Sequence, residues 1–157
     1  MGLNPINTIF VGKDGIAATP LFGYMYKKLH ITVDRASLKS RVNTMLDSMK
    51  AIDEGKSLVI YPEGGMLTTN PPQMCVFKDG AFRTAIEKQI AIVPVTIPYN
   101  WIILPDQKKI RLHAGKVKVI FHKPIETRGM NIKDVPQLKQ LVFSIIDTEL
   151  KKELSAR

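Results

Sequence analysis

Cysteine is nearly absent: Cys75 stands alone in 157 residues. That excludes a disulfide framework and a cysteine-rich zinc module, and it fits a reducing compartment. Histidine is scarce too. His30, His113 and His122 do not pair at metal-ligand spacing, so no metal site is expected. Long apolar runs are missing. Asn4, Pro5, Asn7 and Lys13 break up the N-terminal stretch, which therefore does not read as a secretory signal. Ile6 stands where myristoylation wants Ser or Thr. The most apolar segment, 90–105, is cut by Pro94, Pro98 and Asn100, and it falls short of the ~20 residues a spanning helix needs. Repeats, linkers and low-complexity tracts are absent as well, and with the length this points to a single domain over 1–157. Carboxylates are in deficit: fourteen Asp and Glu face twenty-three Lys and Arg, for a net charge of +9. Such a chain is drawn to polyanions: nucleic acid, an anionic membrane surface, or phosphorylated substrates.

What is present is ordinary globular material, with 45% hydrophobic and 24% charged residues. Thr8-Ile9-Phe10-Val11 reads as a strand ended by Gly12. Thr19-Pro20 reads as a cap and first residue of a helix carrying Leu21, Phe22 and Met25. Leu29, Ile31 and Val33 alternate with His30, Thr32 and Asp34, the period of a half-buried strand. From Ser37 to Asp53 the apolar positions Leu38, Val42, Met45, Leu46, Met49 and Ile52 recur every three or four residues. That predicts an amphipathic helix closed by Gly55. Ser57–Tyr61 is a continuous apolar run of the kind buried in parallel sheets. Asp79 can cap a helix through Ala81, Phe82, Ala85 and Ile86. Residues 90–97 form another buried-strand candidate, with Pro94 suggesting a bulge or an edge. Residues 109–122 read as a hairpin turning at Ala114-Gly115. Asp134-Val135-Pro136 opens a last helix, with Leu138, Leu141, Val142, Ile145, Ile146 and Leu150 on its buried face. This alternation predicts an α/β fold, a mostly parallel sheet flanked by helices.

Several chemistries fail on spacing. Gly55-Lys56-Ser57 has Lys50 where a phosphate-binding loop needs its first glycine, and it precedes a strand instead of following one. No dinucleotide glycine fingerprint, nucleophile elbow or zinc helix occurs. Zinc fingers and aromatic RNA-binding signatures are absent and the cations are spread along the chain, so no nucleic-acid partner is expected. Three segments do stand out. Val33-Asp34-Arg35 ends one strand, Tyr61-Pro62-Glu63-Gly64-Gly65 ends another, and Phe77-Lys78-Asp79-Gly80 leads into a helix. Ligands of open α/β sheets gather at the carboxyl ends of strands. Arginine and lysine are complementary phosphate ligands, and glycines let a backbone approach one. Residues Arg35, Glu63, Gly64, Gly65 and Lys78 are thus a candidate phosphate-monoester site.

At these residues the chain resembles the lysophosphatidic acid acyltransferases, the 1-acylglycerol-3-phosphate O-acyltransferases. Their Phe-Pro-Glu-Gly-Thr-Arg-Ser motif is matched by Tyr61-Pro62-Glu63-Gly64-Gly65-Met66-Leu67, and their strand ending in arginine by Ile31-Thr32-Val33-Asp34-Arg35. Phe77-Lys78-Asp79-Gly80 and Ile92-Val93-Pro94-Val95 follow in the family's order, and Phe10-Val11-Gly12-Lys13 and Pro20-Leu21-Phe22-Gly23 are similar to its upstream segments. The resemblance implies a glycerolphosphate-acyltransferase-like fold. It implies acyl transfer from an acyl carrier protein or coenzyme A thioester to the free hydroxyl of a lysophospholipid, giving phosphatidate. Arg35, Glu63 and Gly64, with the adjoining Gly65, would hold the glycerol phosphate, and Lys78 would assist. No cofactor is implied. Peripheral residence at the cytoplasmic face of the cell membrane is, and the positive charge and the Tyr99–Leu104 segment suit such a surface.

Two departures matter. Gly65-Met66-Leu67 replaces Thr-Arg-Ser, removing an arginine and two hydroxyls and altering head-group preference. The family's catalytic His-x-x-x-x-Asp is not found upstream of Arg35; His30 and Asp34 are one residue too close and share the polar face of a strand. The expectation is a C-terminal portion without its general base, and a chain nearly inactive by itself. The alternative is a non-catalytic module that binds phosphorylated lipid or an anionic membrane surface.

Overall fold

Thr8-Ile9-Phe10-Val11, β-branched and aromatic, lays down the first strand, β1 (Thr8–Lys13). The computed structural model describes residues 7–13, 22–34, 36–65, 68, 70–105 and 113–156. The chain divides into two compact units, Met1–Gly65 and Met66–Arg157.

In the first unit β1 is followed by α1 (Phe22–Leu29), β2 (Ile31–Val33), α2 (Leu38–Asp53) and β3 (Ser57–Ile60). The three strands form a parallel sheet in the order β2-β1-β3, with Val11 opposite both Ile31 and Ile60. Right-handed crossovers put α1 and α2 on opposite faces of such a sheet. The order also reverses at β1, which makes the carboxyl edge between β1 and β3 a topological switch point. The expected α/β architecture with a parallel sheet is present.

Local readings are refined at several places. Gly12 does not end β1, which runs on to Lys13. The Tyr26 hydroxyl from α1 occupies the space a Cβ at Gly12 would take, so glycine there lets helix and strand approach closely. Leu29 closes α1 instead of opening β2. The Thr19-Pro20 cap lies outside the described residues.

Helix α2 has the expected span. Its Ser37 cap accepts a hydrogen bond from Ser40 N–H at 3.2 Å, satisfying one of the donors a helix start leaves open. Its orientation differs from expectation. Ser48 and Ala51 are the buried residues, and Thr44 Oγ1 sits 3.3 Å from Thr32 O of β2. The small face therefore meets the sheet, while Leu38, Val42 and Leu46 are exposed. Periodicity identifies an apolar face, but only packing decides what it touches.

The second unit holds α3 (Gly80–Glu87), β4 (Val95–Thr96), α4 (Asn100–Ile103), β5 (Ile120–Phe121), a 3-10 turn (Ile132–Asp134) and α5 (Val135–Ser155). Its core joins Phe77, Phe82 and Ile86 to Val135, Leu138 and Val142. The rings of Phe77 and Phe143 meet edge-on at 5.0 Å. Helix α5 opens where Asp134-Val135-Pro136 predicts, with proline in its first turn. Leu141, expected inside, is exposed. Asp79 does not cap α3 with its side chain; its carboxylate takes an ion pair from Lys139 at 2.7 Å.

The expected buried strand at 90–97 is reduced to an antiparallel pair of β4 with β5, extended by an Ile92–Ile125 bridge. Pro94 has no N–H to give, and its carbonyl accepts from His122 N–H at 3.0 Å. The expected hairpin over 109–122 is not formed among the described residues. Residues 113–119 make no strand, 109–112 lie outside the description, and Ile120–Phe121 pairs with the distant Val95–Thr96.

Candidate functional site

The carboxyl edge of the parallel sheet carries the Glu63 turn. After Ile60 the chain turns through Tyr61-Pro62-Glu63-Gly64, closed by a 3.0 Å hydrogen bond from Gly64 N–H to Tyr61 O. Gly64 has φ +74°, a left-handed conformation that costs any residue with a Cβ about 1–2 kcal/mol. The motif's glycine is thus required by the turn, and the turn delivers Glu63, half-buried, beside Gly64 and Gly65.

At the end of β2 the connection into α2 is pinned from both sides. Asp34 N–H donates to Ser40 Oγ at 3.0 Å, and Asp34 Oδ1 accepts from Ala36 N–H at 3.0 Å. Arg35 itself lies outside the described residues. The register puts the ends of β2 and β3 on either side of β1. With strands about 4.8 Å apart, those ends are roughly 10 Å from each other.

Lys78 belongs to the second unit, where it is exposed just ahead of α3. Of the five sequence-derived residues, then, Glu63, Gly64 and Gly65 are brought together in one turn.

The sequence reading missed Tyr26. Its hydroxyl stands against Gly12, and burial pushes the phenol above its ordinary pKa, with a smaller contribution from Tyr61. Tyr26 therefore belongs to the same edge as the Glu63 turn. The only trace of it in the sequence was a glycine inside a β-rich run.

His30 is placed at the opposite, amino end of β2 from Asp34. Its Nδ1 accepts from Phe10 N–H at 3.3 Å, and its ring packs edge-on against Phe10 and Tyr26. This is a histidine held by strand and helix. The Trp101 indole N–H donates to Pro98 O at 3.1 Å, within its own loop. Among the described residues no cluster of three or more His, Cys, Asp or Glu could hold a metal ion, and no helix is long and apolar enough to cross a membrane.

One glutamate stands on a glycine-shaped turn at the switch point of a parallel sheet. Comparison with known proteins gives this edge its context. A family model described as Acyltransferase matches residues 2–98. A chloroplastic 1-acyl-sn-glycerol-3-phosphate acyltransferase of Arabidopsis thaliana is 31% identical over 117 residues, covering 74% of this chain and 32% of that protein. A 1-acyl-sn-glycerol-3-phosphate acyltransferase of Haemophilus influenzae is 29% identical, covering 94% of this chain and 62% of its own length. A lyso-ornithine lipid O-acyltransferase of Pseudomonas aeruginosa is 27% identical over 78% of this chain and 52% of that protein. The crystal structure of the 1-acyl-sn-glycerophosphate acyltransferase of Thermotoga maritima shares the fold, with TM-score 0.72 and 21% identity over 96% of this chain and 58% of that one. The chain thus spans from about a third to about three fifths of the length of these relatives.

Proposed function

Because the chain belongs to the acyltransferase family, we propose that its carboxyl edge binds the glycerol phosphate of 1-acylglycerol 3-phosphate. That lipid is the acceptor of an acyl chain carried on an acyl carrier protein or coenzyme A thioester. In the reaction the acceptor hydroxyl attacks the thioester carbonyl, the C–S bond breaks and the thiol leaves, giving phosphatidate. The hydroxyl proton must pass to a general base. In this reading residues 1–157 form one acyltransferase-like domain, peripheral at the cytoplasmic face of the membrane, where acceptor and product reside.

The observation that carries the reading is the Tyr61–Gly65 turn. Gly64 in its left-handed conformation brings backbone and the Glu63 carboxylate to the sheet edge, where a polyol phosphate can meet both. Arg35 neutralises the phosphate dianion through its planar fork, and Glu63 accepts hydrogen bonds from a glycerol hydroxyl or orients the arginine. Gly65-Met66-Leu67 stands where the family motif has Thr-Arg-Ser, so the head-group cradle is poorer in donors.

No histidine in the sequence has an aspartate five positions on. A general base contributes about 10²–10⁴ in rate, so the chain by itself binds without turning over. The second reading is a non-catalytic module for phosphorylated lipid, which the same turn and the net charge of +9 would serve.

Thermal unfolding with added lysophosphatidate tests the site. A ligand at a hundredfold excess over its Kd stabilises by about 2.7 kcal/mol, and Arg35→Ala and Glu63→Ala should each remove most of the shift in Tm. Equal protection of wild type and both variants would sink this assignment.

A further inference from the structure

Helix α2 has two faces, and among the described residues no element covers the larger apolar one. Toward the sheet it presents Ser40, Thr44, Ser48 and Ala51. Away from the sheet Leu38, Val42 and Leu46 are 68%, 52% and 59% exposed. Met49 lies among them and Met45 beside Leu38, both half-buried. At 1.5 Å per residue the stripe from Leu38 to Met49 is about 17 Å long, and a helix normally buries such a stripe.

As far as Met49 the charges beside it are cationic; the exposed carboxylate of Asp53, in the helix's last turn, falls on the stripe's own face beyond its end. At 100° per residue Lys39 and Arg41 lie on either side of the stripe, and Lys50 continues the Lys39 side; all three are exposed. Asp47, the only carboxylate between residues 38 and 50, falls on the far side of the helix. Aliphatic residues edged by long cationic side chains match the boundary between acyl chains and anionic head groups, into which lysine and arginine extend. A second copy of the chain fits less well, since it would bring a second set of these cations against the first.

We propose that α2 rests on an anionic lipid surface through Leu38, Val42 and Leu46, with Lys39, Arg41 and Lys50 among the head groups. This deepens the proposed function and rests on its lipid reading. Helix α2 starts just after β2, so a helix lying on the bilayer would hold the carboxyl edge, with its Glu63 turn, near the level of the phosphates. The surface is separate from Tyr99–Leu104, whose tryptophan bonds its own loop.

The test is co-sedimentation of the full chain with phosphatidylcholine vesicles, with and without phosphatidylglycerol. Neither set contains lysophosphatidate, so the outcome does not depend on the acceptor site. Wild type should pellet with the anionic vesicles only. The triple variant Leu38→Ser/Val42→Ser/Leu46→Ser, its fold checked by circular dichroism, should bind at least about tenfold more weakly. Lys39→Gln/Arg41→Gln should lose the preference for phosphatidylglycerol. Wild type remaining in the supernatant, or the triple variant pelleting undiminished, overturns the proposal. So does light scattering that shows a dimer which the triple variant dissociates, since the stripe would then be a self-interface. If lysophosphatidate protection fails while pelleting persists, the acceptor reading falls and the α2 surface stands.

Discussion

At the scale of single residues, the carboxyl edge depends on two glycines used in different ways. Gly64 is needed for its backbone angle, and Gly12 for the volume its missing Cβ leaves to Tyr26. Gly12→Ala would push a methyl into the Tyr26 hydroxyl, and overpacking of this kind costs about 1–3 kcal/mol. Removing the hydroxyl relieves part of the conflict but leaves ring Cζ 3.1 Å from the new methyl. Denaturant unfolding of Gly12→Ala, Tyr26→Phe and the double variant should therefore show coupling, the alanine costing less in the phenylalanine background. Strict additivity would mean that the close approach does not constrain the edge. Gly64 was legible in the sequence because strand-ending turns use left-handed glycine. Gly12 was misread as a stop signal because the residue that needs its space lies fourteen positions away, on another element.

At the scale of elements, the second unit ties three segments together at one carboxylate. Glu153 near the end of α5 takes two hydrogen bonds from Lys118, at 2.6 and 2.8 Å, and one from the Tyr99 hydroxyl at 3.2 Å. The hydrogen bond from Lys118 is the main reason its carboxyl lies below the ordinary value of 4.5, against an opposing desolvation. The same bond raises Lys118 above 10.5. A depressed carboxyl contributes stability that is present above its ordinary pKa and lost as pH falls through the lower folded value. A raised amine contributes stability that is full below 10.5 and lost as pH rises beyond it. Melting temperature followed downward from neutral pH should therefore fall less steeply below 4.5 in Glu153→Gln than in wild type. Parallel acid limbs would show that the cluster does not bind α5 to its neighbours. None of this was readable in the sequence, because Tyr99, Lys118 and Glu153 are far apart along it. The helix that carries Glu153 was readable, since an Asp-Val-Pro start and a long 3.6-residue period are local signals.

For the whole molecule, the proposed acceptor binding and the lack of a histidine–aspartate pair at the family spacing within residues 1–157 make separable predictions. Incubated with acyl-coenzyme A and lysophosphatidate in detergent, the chain should form no phosphatidate above the protein-free blank, as read by mass spectrometry. Its thermal protection by the same lipid should persist. Product at a rate within tenfold of a full-length family member would show that another group accepts the proton, and the binding-only reading would fall. The +9 charge acts at this scale as well, through long-range attraction to an anionic surface that salt screens beyond about 10 Å at 0.1 M.

Features that depend on neighbours along the chain are legible in the residues alone: the α/β alternation, the spans of α2 and α5, the glycine turn at Glu63, and the ordered motifs that resemble an acyltransferase. Their causes are local, in side-chain period, capping and backbone angle. Long-range packing set the order β2-β1-β3 and hence the switch point, and the seating of Tyr26 against Gly12. It also decided the pairing of Ile120–Phe121 with Val95–Thr96, and the rotation of α2 that turns serine, threonine and alanine to the sheet and leaves leucine and valine outside. Hydrophobic periodicity states that a face is apolar, whereas the partner that covers it depends on which elements the rest of the fold brings alongside.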